Sequence, residues 1–328
     1  MSEQWGSPMS TRADLSPAAA FLWFSMTKIV TATAAMRLVD EGRLSLDDRV
    51  DALVPGVLSV RGGDAVRVRH LLQHSAGIPN PPPIRWVRPA DAPAPDPAAF
   101  LTERFARVRK LRFEPGTRAV YTNLGYLLLG QVIAAASGRA FTDYACDQVL
   151  APLRMDATSF LMPAPGGTGV ATGHQRLPRG LGPLLRAVLP RGIVGARAVR
   201  WMTFRPFLVN GAPYGGLVGP VADAARVVLM HANGGEIDGT RILSADAVCA
   251  MQAISRTGKP FDHGLGWFRP PADRLRQPTF VEHYGGGGGY HNLMRLYPER
   301  GVGTVVMGNS TSYDVDAVTD AIAAPWLT

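Results

Sequence analysis

Cysteine is almost missing from this chain of 328 residues: there are two, Cys146 and Cys249. They are far apart and fit no metal-ligand spacing. A zinc ribbon and a disulfide scaffold are therefore excluded, and buried free thiols in a reducing compartment are expected. Lysine is scarce too. The formal net charge of +8 is carried by arginine, and the only lysines are Lys28, Lys110 and Lys259. No apolar run reaches the roughly 20 residues that cross a membrane. The apolar stretch from Ala18 to Phe24 is short and has no basic segment before it, so it is not read as a signal peptide, and a cytoplasmic protein is expected. There is no internal repeat and no linker that would cut the chain into separate domains. The length suits one large domain or two interleaved lobes.

The positive charge lacks the motifs and interleaved aromatics of nucleic-acid binding, so no nucleic-acid partner is expected. Arginine concentrates between residues 176 and 205, at Arg176, Arg179, Arg186, Arg191, Arg197, Arg200 and Arg205. Apolar residues such as Leu184, Leu185, Val188, Leu189, Ile193 and Val194 run between them. Two readings stand for this basic amphipathic segment. One is peripheral contact with an acidic membrane surface; the other is a solvated helical insertion whose apolar face packs on its own domain.

Apolar spacing predicts a helix from Ser25 to Glu41, stopped by Gly42. Leu44 to Pro55 reads as a loop with a short turn. Further helices are expected over 66–72, 97–108, 124–136 with Asn123 as N-cap, 222–232, 244–254 and 314–323. The proline-rich stretch from 79 to 97, with Pro81-Pro82-Pro83, reads as a stiff surface loop. Near the end, 279–284, 290–297 and 302–308 read as strands, the last two joined as a hairpin by Pro298 to Gly301.

The chemistry starts at Ser25-Met26-Thr27-Lys28. A serine hydroxyl is a poor nucleophile until a base takes its proton. Positions about three to four apart share a helix face, so Lys28 lies beside Ser25. Arginine stays protonated, whereas a partly buried lysine can be neutral and act as a base. Tyr121-x-Asn123 precedes a helix and offers a phenol for proton transfer. His283-Tyr284-Gly285-Gly286 ends a strand, where small residues allow close approach of a substrate. A free N–H there, with that of Ser25 at its helix N-terminus, would make an oxyanion hole. Other sites fail. Gly285 to Gly289 is followed by no Gly-Lys-Ser/Thr and opens no helix, so it is no phosphate loop. His70 and His74 lack the Glu of a His-Glu-x-x-His metal helix and are read as structural. Ser75 sits in no Gly-x-Ser-x-Gly elbow. No cofactor or metal is expected.

Ser-x-x-Lys, Tyr-x-Asn and His-x-Gly-Gly in this order, before a C-terminal hairpin, resemble the serine β-lactamase and penicillin-binding-protein superfamily. The likeness is to its class C-like branch, which holds esterases and D-amino-acid peptidases. Leu71-Leu-Gln-His-Ser-Ala-Gly77, Phe113-Glu-Pro-Gly116, Tyr214-Gly-Gly-Leu217, Gly264-Leu-Gly-Trp267 and Met307-Gly-Asn309 agree with it. The resemblance implies an α+β fold over residues 16–322, an antiparallel sheet flanked by helices with a mostly helical lobe inserted at roughly 56–205. It implies Ser25 as the acylated nucleophile, and Lys28 and Tyr121 sharing the proton work. It further implies Asn123 bonding Lys28 and substrate, His283 standing where many relatives have a lysine, and Gly285 and Gly286 at the oxyanion site. The substrate would be a small acyl compound, an ester, amide or β-lactam, with esterase-like activity favoured. A non-catalytic binding or scaffold member of the same fold is the alternative. Relatives carry two strands before the nucleophile helix, and 24 residues are too few for them. The expectation is that these strands are missing and that 302–308 is left as an open edge, covered by another copy or by upstream sequence.

Overall fold

The computed structural model describes residues 16–162, 169–178, 180–198, 200–274 and 278–327. Among these, the strands in chain order are β1 (Phe21–Leu22), β2 (Val87–Pro89), β3 (Gly173–Arg176), β4 (Val194–Ala198), β5 (Trp201–Phe204), β6 (Phe207–Val209), β7 (Val218–Gly219), β8 (Glu236–Ile237), β9 (Thr240–Arg241), β10 (Asp262–His263), β11 (Phe268–Arg269), β12 (Val281–Gly287), β13 (Tyr290–Tyr297) and β14 (Val302–Gly308). The α-helices are α1 (Thr27–Asp40), α2 (Val50–Leu53), α3 (Val68–Leu72), α4 (Pro97–Phe105), α5 (Asn123–Ser137), α6 (Phe141–Ala145), α7 (Leu181–Val188), α8 (Ala212–Gly215), α9 (Val221–Ala232), α10 (Ala245–Gln252) and α11 (Val315–Ala323).

The main sheet is antiparallel with strand order β10-β11-β12-β13-β14. Period-two alternation splits its residues between two faces. Met294 and Leu296 of β13 join one large core with Ile29 and Val30 of α1, Val227 and Val228 of α9, and Met251 of α10. The opposite face meets α11. There Glu282 and Arg295 stand directly across β12 and β13, and Arg295 Nε donates to Glu282 Oε2 at 2.8 Å. Arg295 also reaches Asp316 and Asp320 of α11, at 2.8 and 2.5 Å, and the Tyr284 hydroxyl donates to Asp316 at 2.6 Å. Burial pushes the Glu282 carboxyl up to about 7 against the pull of Arg295. Asp314 caps α11 by accepting from the Ala317 N–H.

The three expected C-terminal strands and most expected helices match the sequence pattern, with corrections that have physical causes; the strands before β12 were not expected. Asn123 is the first residue of α5, and Thr122, with extended backbone, holds the N-cap position. A single helical turn, α2, lies in the stretch expected as loop. The proline-rich loop contributes β2, which pairs with β6. Cys249 is exposed and Cys146 half-buried, so the thiols are free but not fully buried. The basic segment is not one helix. It holds α7 and the β4–β5 hairpin, and β5 also pairs with β3. Ile193 and Phe204 turn inward onto Phe21 and Leu22, while Leu181 and Leu184 of α7 stay exposed; Arg179 lies outside the described residues. Helical periodicity had no means of registering a strand partner more than twenty residues away.

Among the described residues, no strand covers the outer edge of β14. β1 does not join the main sheet; it pairs with β7. No single described helix is long and apolar enough to cross a membrane.

Glu282 is fully buried and Arg295 nearly so. Removing one partner leaves an uncompensated buried charge, which costs about 3–5 kcal/mol. Arg295→Met is expected to lower unfolding stability by that order in urea titrations. Adding Glu282→Gln to it should recover more than half of the loss, since the stranded charge is then gone.

Candidate active site

The chain enters the site through β1. Trp23 N–H donates to Leu217 O, and its indole N–H donates to Gly219 O. Phe24 follows with φ of 47°, a left-handed conformation rare for a side chain of this bulk. It turns the backbone into a short 3-10 turn, Phe24–Met26, which runs directly into α1. Ser25 sits on that turn, so its hydroxyl stands at the head of the helix. The Phe24 ring is held between Phe207 and Tyr290, at 6.1 and 6.0 Å between centroids.

One turn on, Lys28 is completely buried. Its Nζ lies 3.0 Å from Ser25 Oγ, 3.0 Å from Asn123 Oδ1 and 2.8 Å from the Tyr214 carbonyl. The rings of Tyr121, Tyr126 and Tyr214 surround it, at 4.8, 5.5 and 5.3 Å from centroid to Nζ. Burial holds this amine well below the usual lysine range. The geometry agrees with a neutral amine. Asn123 Oδ1 and the Tyr214 carbonyl only accept, so they take its two N–H groups. The nitrogen lone pair is then left for the proton of Ser25. Tyr121 completes the chain: its hydroxyl donates to Ser25 Oγ at 2.7 Å, and burial raises its phenol far above the usual range, so it stays protonated.

Each partner is placed by a specific packing event. Asn123 N–H donates to Asn80 Oδ1 at 2.9 Å, and the Thr122 hydroxyl donates to Pro79 O at 3.1 Å. The start of the proline-rich loop thus fixes the Tyr121–Asn123 segment. α8 reaches Lys28 because it packs closely on α5. A Cβ on Gly130 would stand 2.1 Å from Pro213 Cγ, so only glycine admits that approach. Thr31 Oγ1 donates to Pro213 O at 2.7 Å and ties α8 to α1.

β12 brings up the last parts. Strand alternation puts His283 and Gly285 on the face toward the Ser25 turn. A Cβ on Gly285 would meet Trp23 O at 2.0 Å, so strand and turn touch backbone to backbone there. Gly286, next along, is exposed. His283 is buried 6.3 Å, ring to ring, from Tyr121. Its Nδ1–H donates to the Tyr284 carbonyl at 2.8 Å, and Nε2 has no partner among the described residues. Burial holds this imidazole well below its ordinary value. His283 is therefore neutral.

Ser25, Lys28, Tyr121 and Asn123 thus form one hydrogen-bonded cluster, with His283, Gly285 and Gly286 on the adjoining strand. Two contributors escaped residue-by-residue inspection. Tyr214 acts through its carbonyl, which no side-chain pattern reveals, although it lies in the Tyr214-Gly-Gly-Leu217 stretch. His74 packs on Tyr121 at 4.4 Å between rings. His70 is separate and accepts the Arg67 N–H. Among the described residues, no group of His, Cys, Asp and Glu is arranged to hold a metal ion.

Comparison with known proteins places this cluster in a family. The family model described as Beta-lactamase matches residues 3–324. The chain is 28% identical over 308 residues to penicillin-binding protein 4 of Amycolatopsis lactamdurans, covering 89% of this chain and 73% of that one. It is 24% identical over 288 residues to the D-alanyl-D-alanine-carboxypeptidase/endopeptidase AmpH of Escherichia coli (strain K12), covering 86% and 69%. Among solved structures, the octameric penicillin-binding protein homologue from Pyrococcus abyssi superposes with a TM-score of 0.73 at 27% identity; 94% of this chain covers 66% of that one, just under two-thirds of its length. The D-amino acid amidase from Ochrobactrum anthropi SV3, complexed with L-phenylalanine, superposes with a TM-score of 0.72 at 21% identity, covering 95% and 84%, and shares the fold. The matched span takes in the whole Ser25 cluster, and this chain belongs to the beta-lactamase family.

Proposed function

We propose that the chain is a serine hydrolase that works through an acyl-enzyme, with Ser25 as the nucleophile. The observation that carries this is the placement of the fully buried Lys28 Nζ 3.0 Å from Ser25 Oγ, with Asn123 Oδ1 and the Tyr214 carbonyl as its other two partners. Ser25 Oγ attacks the acyl carbon while its proton passes to Lys28. The developing oxyanion would be held by the N–H groups of Ser25 and Gly286. The leaving group departs with a proton from Tyr121, which takes one in turn from the Lys28 ammonium. Water then attacks the acyl-enzyme, and the same groups act in reverse order. Asn123 orients Lys28 and would bond the acyl substrate. We favour ester substrates, because His283 is neutral and offers no positive charge to a carboxylate beside the scissile bond. Residues 16–322 are read as a single catalytic unit.

Ser25→Ala is expected to abolish turnover and covalent labelling by a fluorophosphonate. A panel of a chromogenic acetate ester, a chromogenic cephalosporin and a D-alanyl peptide should give its highest kcat/KM with the ester. Undiminished labelling of the Ser25→Ala protein would sink the assignment.

The pH dependence follows from Lys28. A base must be neutral, and burial lowers this amine well below the ordinary lysine value of 10.5. Activity should therefore fall on the acid side and reach its plateau well below pH 10.5. The amine takes up a proton on unfolding in that window, so its contribution to stability grows as pH rises toward 10.5. A kcat/KM profile still climbing at about pH 10, as for an ordinary lysine, contradicts the assignment.

The open β14 edge supports association with a second copy. The outer face of α11, beside that edge, exposes Val318 and Ile322, with Trp326 just beyond the helix. The similar Pyrococcus protein is itself octameric. Light scattering on the purified chain is expected to show an oligomer; a stable monomer at micromolar concentration is the opposing result.

A further inference from the structure

His74 lies outside the cluster that holds Ser25, in a stretch where sequence pattern suggested only a structural role. Its surroundings are unusual. It follows α3 with φ of 54°, a left-handed conformation in which histidine, asparagine and aspartate are enriched among non-glycine residues. In that conformation one residue bonds the backbone on both sides of Tyr121. The Val120 N–H donates to the His74 carbonyl at 2.9 Å, and the Thr122 N–H donates to His74 Nδ1 at 3.1 Å. The imidazole also packs on the Tyr121 ring, and on Tyr126 at 4.9 Å between centroids. Those are two of the rings around Lys28 Nζ.

We propose that His74 is a positioning residue for Tyr121, a one-residue clamp that aims the phenol at Ser25 Oγ. The inference rests on the roles given above to Tyr121 and Ser25. The two backbone bonds, from the Val120 and Thr122 N–H groups, fix where residue 121 leaves the loop and so where its phenol points. Nδ1 can accept the Thr122 N–H only while the ring is neutral, with its proton on Nε2. That nitrogen has no partner among the described residues. Burial above all holds this imidazole well below its ordinary value; the titratable groups that face it, His263, Lys28 and His283, are themselves kept neutral by burial. His263, packed at 5.0 Å, is itself held down to about 4 by burial. The clamp therefore stays closed through the neutral range.

Two variants separate the bonded nitrogen from simple packing. Both tolerate a left-handed backbone, and both lose the ring. His74→Asn keeps an acceptor, since Oδ1 stands as many bonds from Cα as Nδ1 does. His74→Gly keeps none. On the acetate ester, the glycine variant should lose about 10- to 100-fold in kcat with KM within about twofold, the size of effect expected when a reacting group is misaimed. The asparagine variant should keep most of the wild-type kcat. Hydrogen exchange at the Thr122 amide gives a readout independent of catalysis: faster in the glycine variant, protected in wild type and the asparagine variant. Equal losses of kcat in the two variants, or wild-type kcat in a folded glycine variant, would overturn the proposal. Should the glycine variant fail to fold, a folded asparagine variant with severely reduced kcat overturns it as well, and one with most of the wild-type kcat supports it. Failure of the underlying catalytic reading shows separately, as turnover that survives Ser25→Ala.

Discussion

The site depends on the burial of one amine. Lys28 Nζ is shut from water by three tyrosine rings and by α5 and α8. A charged ammonium there would face only neutral dipoles, so the amine gives up its proton. Each pKa unit of that depression represents about 1.4 kcal/mol of preference for the neutral form. The fold bears this cost through the core built around α1, where residues from Met26 to Met36, and Leu38, have almost no exposed surface. The same burial raises the phenols of Tyr121, Tyr126 and Tyr214. One desolvated pocket therefore produces a neutral base and a protonated phenol side by side, with Ser25 Oγ between them. Opposite proton affinities follow from a single cause, since desolvation penalises whichever form is charged.

Backbone strain is concentrated at the same place. Phe24 precedes Ser25 and His74 braces Tyr121, and both are non-glycine residues in the left-handed region. Conformations of this kind cost of order 1–3 kcal/mol each and persist where surrounding packing over-determines them. At Phe24 the packing is visible: its ring is wedged between Phe207 and Tyr290, and Gly287 has no side chain to displace it. Ser25, half-buried, is thereby presented on a turn whose other side chains are anchored.

What the sequence could disclose follows from how far apart the partners lie. Ser25 on the 3-10 turn and Lys28 in the first turn of α1 are three residues apart on continuous helical backbone, so their spacing alone placed them together. The β13 and β14 strands flank a local turn signal, Pro298 to Gly301, and the caps Ser244 and Asp314 are local hydrogen bonds. Tyr121, Asn123 and His283 emerged by resemblance of ordered motifs, because nothing local marks them. The contact from Lys28 to the Tyr214 carbonyl spans 186 positions and uses an atom that every residue has. His74 was hidden in another way: its carbonyl and ring nitrogen act on backbone N–H groups, and no residue-type pattern in the 120–122 stretch reports that. The 176–205 segment misled because arginine and leucine density resembles an amphipathic helix, while the pairing of β4, β5 and β3 is decided by tertiary contact.

β12 joins these elements, because alternate residues of one strand serve opposite faces. Glu282 and Tyr284 point to α11 and its charge network. His283 and Gly285 point to the nucleophile turn. The buried Glu282–Arg295 pair is directly cross-strand, so it pins the register between β12 and β13. A slip of one residue would exchange the two faces and put a carboxylate where His283 lies beside Tyr121. A carboxylate there would favour the ammonium form of Lys28 and remove the base. The charge network on one side of the sheet thus protects the absence of charge on the other, and the neutral pocket around Ser25 depends on an ion pair that never touches it.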